Sequence, residues 1–162
     1  MSFQLEREHR EAAREIIRKH LVPLAVIVRD GYAKEDMEQC KDFVMNIAVG
    51  TGDVLCRVRR KQFLERFGAQ FSIRYRSRSG KPTEIHKLRE GKGRWYLFGY
   101  SDGKAKFAYW RIFDINKMRE DRVFDDMNLW TIRSNPDGSK GMYCDISKLE
   151  KYIVASFGGK DE

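Results

Sequence analysis

Three kinds of residue are scarce in this chain, and each scarcity removes a class of protein. There are three cysteines in 162 residues, Cys40, Cys56 and Cys144. They are widely spaced and odd in number, which gives neither a disulfide framework nor the paired spacing of a zinc site. A reducing, cytoplasmic location is the expectation that follows. Histidines also number three, His9, His20 and His86. They stand far apart and, with no recognisable nucleophile elbow, offer no triad. Prolines are again three, and the longest apolar run, Leu21 to Val28, is broken by Pro23. That run falls well short of the roughly 18 to 20 residues a membrane-crossing helix needs, so no membrane is expected as a partner. The charged N-terminus lacks the apolar segment of a signal peptide. Repeats, low-complexity tracts and linkers are lacking too.

What is present is a foldable composition, 41% hydrophobic and 12% aromatic, which points to one domain over residues 1–162. Charge is unevenly spread. Between Val54 and Arg111 sixteen Lys and Arg face four acids (Glu65, Glu84, Glu90 and Asp102), a local net of +12. The stretches on either side each carry eight bases and ten acids. A basic block interleaved with Tyr75, Trp95, Tyr96 and Tyr100 is the footprint of a nucleic-acid binder.

Patterning along the chain predicts an α+β fold: a mixed or antiparallel sheet of five or more strands, packed by an N-terminal and a C-terminal helix. Residues 3–20 have helical periodicity, with His9, Ala13, Ile17 and His20 on the apolar stripe. Leu24 to Val28 suits a strand and 34–41 a short helix or turn. Phe43 to Val49 and Val54 to Arg60 predict a hairpin turning at Gly50-Thr51-Gly52-Asp53. Phe71, Ile73 and Tyr75 alternate with Ser72, Arg74 and Arg76. Thr83 caps a helix over Glu84 to Glu90 that Gly91 terminates. Trp95 to Tyr100 and Phe107 to Asp114 form strands about Ser101-Asp102-Gly103, followed by a helical turn at Asn116 to Asp121. Leu129 to Arg133 and Gly141 to Ile146 make a hairpin across Asn135-Pro136-Asp137-Gly138, and Ser147 opens a last helix through Phe157.

In strands, alternate residues share a face. Were the strands containing 54–60 and 71–76 neighbours in register, Arg57, Arg59, Arg74 and Arg76 would line one side of the sheet. The leading expectation is therefore DNA or RNA held at its phosphates by Arg57, Arg59, Arg60, Lys61, Arg74, Arg76, Arg78, Lys81, Arg89, Lys92 and Arg94, with Tyr75 or Trp95 stacking on bases. Gly50-Thr51-Gly52 and Gly91-Lys92-Gly93 lack the strand-to-helix context of a phosphate loop and read as turns.

Carboxylates raise a second possibility. The order helix, three strands, helix, strand over 34–100 resembles the core of the PD-(D/E)xK, or restriction-endonuclease-like, nuclease superfamily. Asp42, at a strand start, matches that family's first acid. The position of its acid and lysine on the following strand reads Arg57-Val58-Arg59, and framing on Asp53 gives Ser72-Ile73-Arg74, so the motif is degenerate. The resemblance implies a Mg²⁺-dependent nuclease with Asp42, Asp53 and Glu84 as metal ligands and Lys87 near the scissile phosphate. Another broad likeness, carried by Arg57-Val58-Arg59, Phe71-Ser72-Ile73-Arg74, Thr83-Glu84-Ile85 and Trp95 to Tyr100, is to bacterial and phage-borne proteins, and implies no activity. A third possibility is a partner-binding protein whose basic face docks an acidic protein.

Overall fold

Trp95 to Ser101 is buried along almost its whole length, as a strand covered on both faces must be. A computed structural model describes residues 5, 7–21, 25–30, 43–47 and 50–159. In chain order the elements are helix α1 (Arg10–Leu21), strands β1 (Ala25–Asp30), β2 (Phe43–Ile47) and β3 (Gly50–Arg59), helix α2 (Lys61–Phe67), β4 (Gln70–Arg76), α3 (Glu84–Arg89), β5 (Trp95–Ser101), β6 (Phe107–Asp114), α4 (Ile115–Glu120), β7 (Thr131–Ser134), β8 (Lys140–Asp145), a 3₁₀ helix (Ile146–Tyr152) and β9 (Ile153–Phe157). The six-stranded sheet runs β1-β2-β3-β5-β6-β9 and the three-stranded sheet runs β4-β8-β7. All pairings are antiparallel except β3 with β5. A parallel pair needs a crossover, and here α2, β4 and α3 supply it. The α+β class with a mixed sheet is as expected.

Each face of the large sheet has its own core. On one side Val54, Val58, Leu97, Phe107, Trp110 and Ile112 bury against Ala13 and Ile17 of α1. His9 anchors that helix, its ring lying between the Leu5 carbonyl (2.8 Å) and the Lys106 carbonyl (3.1 Å). Its ring also meets Phe107 edge-on. On the other side Leu55, Tyr96, Phe98, Tyr100, Tyr109 and Phe113 pack against Phe71 and Ile73 of β4, Met142 and Cys144 of β8, and Trp130. Phe71 is its hub, with ring centroids of Phe113, Tyr96 and Phe98 at 4.7, 5.1 and 5.3 Å. The aromatic strands are thus core.

Several local expectations are corrected. Gly50 to Asp53 are not a turn: they pair with Ile47 to Val44 as the start of β3. Glycine weakens a strand without forbidding one when a partner lies alongside. Lys61–Phe67, for which no element was expected, is helical. The last helix is a 3₁₀ helix that stops at Tyr152, and Ile153–Phe157 is a strand paired with β6. Ile146, Leu149 and Tyr152 recur every third residue and are buried, a spacing that suits a 3₁₀ turn as well as an α-helix. His20 is exposed, lying against Trp110 at 4.9 Å. The expected element at 34–41 and the candidate ligand Asp42 lie outside the described residues. Among the described residues no helix is long and apolar enough to cross a membrane.

Candidate nucleic-acid interface

The supposed shared face of Arg57, Arg59, Arg74 and Arg76 does not form. β3 lies between β2 and β5, whereas β4 belongs to the other sheet, beside β8. Alternation fixes which residues of a strand point together but is silent on which strand comes next. Arg57 and Arg59 share their side of β3 with buried Leu55, and so point toward the core between the sheets.

There Arg57 Nη2 donates to Glu84 Oε2 at 2.8 Å, with the two side chains 25% and 13% exposed. The same oxygen accepts the Arg74 backbone N–H at 3.0 Å, and Glu84 Oε1 accepts the Tyr96 hydroxyl. One carboxylate therefore links β3, β5 and the edge of β4. A second clasp is Tyr100, whose hydroxyl accepts from the Gln70 N–H and donates to the Gln70 carbonyl, both at 3.0 Å. Together they satisfy backbone groups on an edge that would otherwise be open.

Arg59 reaches past this edge. Its Nη1 donates to Ser72 Oγ at 3.3 Å, and its guanidinium lies 4.6 Å from the Phe63 ring centroid and 5.5 Å from that of Tyr143. Burial holds its pKa below the ordinary arginine value; the Tyr100 and Tyr143 hydroxyls oppose the shift, while Arg57 and Arg133 reinforce it. Among the described residues it forms no ion pair with a carboxylate.

Beyond Arg59 opens the outer face of the small sheet. Register places Ser72, Tyr143 and Thr131 in one row and Arg74, Gly141 and Arg133 in the next, with Arg76 opposite Lys140. Gly141 is what lets the Tyr143 ring lie across the sheet: a Cβ there would stand 2.8 Å from the ring's Cε2 and hydroxyl. Arg133 lies 4.9 Å from the Tyr143 centroid and 5.5 Å from that of Phe67, and donates to Gln70 Oε1 at 3.3 Å. Phe67, 43% exposed, also carries Arg66 at 5.0 Å. The loop after β4 continues the surface with exposed Arg78 and Lys81, braced by the Ser77 hydroxyl donating to the Lys81 carbonyl. Two acids border the face. Asp145 accepts from Gln70, and Asp137 is held below the usual carboxylate range by the Ser139 hydroxyl, then by the Ser139 N–H, with Arg74 a smaller contributor.

The remaining expected contacts are dispersed. Arg60 and Lys61 are exposed beside α2, Lys61 facing Glu65 at 3.7 Å. Arg89 is occupied by Asp125 (3.0 Å) and the Phe124 carbonyl (2.7 Å). Lys92 stands 3.9 Å from Glu90, and Arg94 lies over Trp95 and 3.7 Å from Asp114. Both expected stacking residues are half-buried: Tyr75 packs against the inter-sheet core and Trp95 against the core under α1. The Gly91-Lys92-Gly93 loop is a pinned turn, its Lys92 and Gly93 carbonyls accepting from the Arg119 guanidinium at 3.0 and 2.7 Å.

Of the candidate metal ligands, Asp53 and Glu84 are among the described residues and Asp42 is not. Among the described residues no three His, Cys, Asp or Glu side chains are grouped to hold a metal ion. Both Glu84 oxygens are engaged, Lys87 lies one turn along α3, and Asp53 sits in β3 opposite Val44. Of the described candidates, Asp53 and Glu84 do not by themselves make a Mg²⁺ site.

Sequence reasoning missed Arg133, Tyr143, Gly141 and Phe67. The first two were within reach, because both strands of the β7–β8 hairpin were recognised and each residue's alternation was readable. Both lie outside the basic segment Val54 to Arg111. Comparison of the chain with protein-family models, curated proteins and solved structures finds no match.

Proposed function

We propose that this protein binds nucleic acid through the outer face of its three-stranded sheet and the loop that follows β4. One observation carries the proposal: Arg74, Arg76, Arg78, Lys81 and Arg133 are exposed around that surface, and none forms an ion pair among the described residues. Guanidinium groups left without carboxylates are available to phosphates, which they bind through planar, paired donors. Because Arg57 serves the core, the gripping set is smaller than a charge count implies. Four to five phosphate contacts on duplex DNA give an affinity that falls roughly 10²- to 10³-fold between about 50 and 200 mM salt.

Charge reversal tests this. The triple variant Arg74→Glu, Arg76→Glu, Arg78→Glu is expected to lose the salt-dependent shift of DNA or RNA in a gel. A control that reverses exposed Lys104 and Lys106 is expected to keep it. Equal losses in the two variants, or no shift of either nucleic acid at low salt with the native protein, would refute the proposal. The nuclease reading finds little support in the site, since its best acid is already bonded to Arg57, Tyr96 and Arg74.

A further inference from the structure

We infer that the preferred ligand of this face is a single strand, DNA or RNA, whose bases stack on Tyr143, Phe67 and the Arg133 guanidinium between them. The inference rests on the nucleic-acid reading above and adds to it a choice between strand forms.

Backbone capture alone requires only cations. This face also presents rings, held in place. The Tyr143 ring is laid over Gly141 and partly exposed, and its hydroxyl reaches Asn135 Oδ1 at 3.4 Å. Phe67 stands at the rim, 43% exposed, and is stacked on Phe63 with an interplanar angle of 14°. Arg133 spans the two, lying within cation–π range of both ring centroids. The rings are therefore no more than about 10 Å apart, close enough for neighbouring nucleotides of one strand.

A large apolar side chain left exposed in a strongly basic setting has no use for a duplex, which hides its base faces within the stack. Unpaired bases offer those faces to aromatic rings and to guanidinium planes alike. Shape agrees. The surface is a sheet with rings lying along it, whereas the helix that carries a row of arginines, α1 with Arg10, Arg14 and Arg18, packs on the opposite core of the large sheet. Arg74 and Arg76, at the β4 side, then follow the phosphates.

The experiment measures fluorescence anisotropy of labelled oligothymidylate, oligouridylate and a duplex of equal length at about 50 mM salt, with the full chain. The native protein is expected to bind at least one single strand tenfold or more tighter than the duplex; the two single-stranded arms report whether DNA or RNA is favoured. Tyr143→Ala is expected to weaken single-strand binding roughly 5- to 150-fold, the range for losing one base–aromatic stack, with the salt slope unchanged. Tyr143→Phe is expected to stay near native. Phe67→Ala, at an exposed position that is safe for folding, is expected to weaken binding in the same direction. A duplex bound as tightly as either strand would overturn the inference, as would alanine variants at both rings within twofold of native. Salt-dependent binding that persists in either case leaves the backbone reading standing alone. Failure of all three oligonucleotides to bind overturns both.

Discussion

Replacing Glu84 with alanine separates a structural carboxylate from a catalytic one. In the fold, Glu84 neutralises Arg57, accepts the Tyr96 hydroxyl and caps the Arg74 N–H on the edge of β4. Removing one partner of a buried ion pair costs about 3–5 kcal/mol. Arg57 keeps 25% of its side chain in solvent, which brings the cost toward the bottom of that range. Loss of the acceptor for the Tyr96 hydroxyl, in a residue only 1% exposed, adds about 1 kcal/mol. The expected loss is about 3–4 kcal/mol, a fall in melting temperature of roughly 6–16 °C for a chain of this size. Glu84→Gln keeps acceptor capacity without the charge and is expected to lose about half as much. The double variant Arg57→Met, Glu84→Leu is expected to recover a good part of the loss, because no charge is then left desolvated. Urea titration and calorimetry measure all three. A Glu84→Ala protein that melts within about 2 °C of native would refute the structural assignment and return the carboxylate to the pool of groups available for metal binding.

Other consequences follow from close packing and from burial. In Gly99→Ala the new Cβ would lie 2.5 Å from Phe107 Cδ1 and 2.6 Å from the Tyr109 carbonyl oxygen. Backbone cannot yield as a side chain can, so a loss of more than about 3 kcal/mol is expected, and a melting curve close to native would contradict the β5–β6 register. Burial pushes the Cys144 thiol up to about 11, so native protein at pH 8 should leave Cys144 unalkylated until denaturant is added; mass spectrometry of the modified peptides checks this. Asp121 accepts hydrogen bonds from Lys151 and then Tyr152 and is held below the usual carboxylate range. Because the folded-state value is the lower one, its contribution is complete above the unfolded value of about 3.9 and is lost as pH falls through the folded value. Asp121→Asn is expected to flatten the decline of melting temperature below about pH 4, and parallel acid limbs would count against it.

Reversing Arg57 and Arg59, two of the four arginines expected on one face of the sheet, would disturb the core instead of reporting on ligand. The reason is instructive. Both residues belong to a strand whose alternation was read correctly, and both sit in the densest part of the basic block. What alternation could not reveal was that the large sheet is covered on its second face by Phe71, Ile73 and Met142 from the small one. That cover turns a face that looked solvent-exposed into an interior one.

Local signals in the amino-acid order were enough for the elements whose causes are local. Ser101-Asp102-Gly103 and Asn135-Pro136-Asp137-Gly138 mark their hairpins, the Asp102 and Asp137 side chains accepting backbone N–H groups two residues on. Thr83 opens α3, its N–H bonded to His86 Nδ1 and its hydroxyl to the Tyr75 carbonyl. The +12 of the central segment is likewise a property of the chain alone. Partnership was decided elsewhere. Which strand lies beside β3, that Ile153–Phe157 extends along β6, and that Arg133 and Tyr143 join Arg74 across β8 all depend on contacts between residues distant in the chain. Burial of the Phe71 cluster selects among those pairings, and a period of two within each strand is the same whichever neighbour is chosen. Sequence determined how much positive charge and how many rings there would be; tertiary packing decided which of them meet at a surface and which are spent inside.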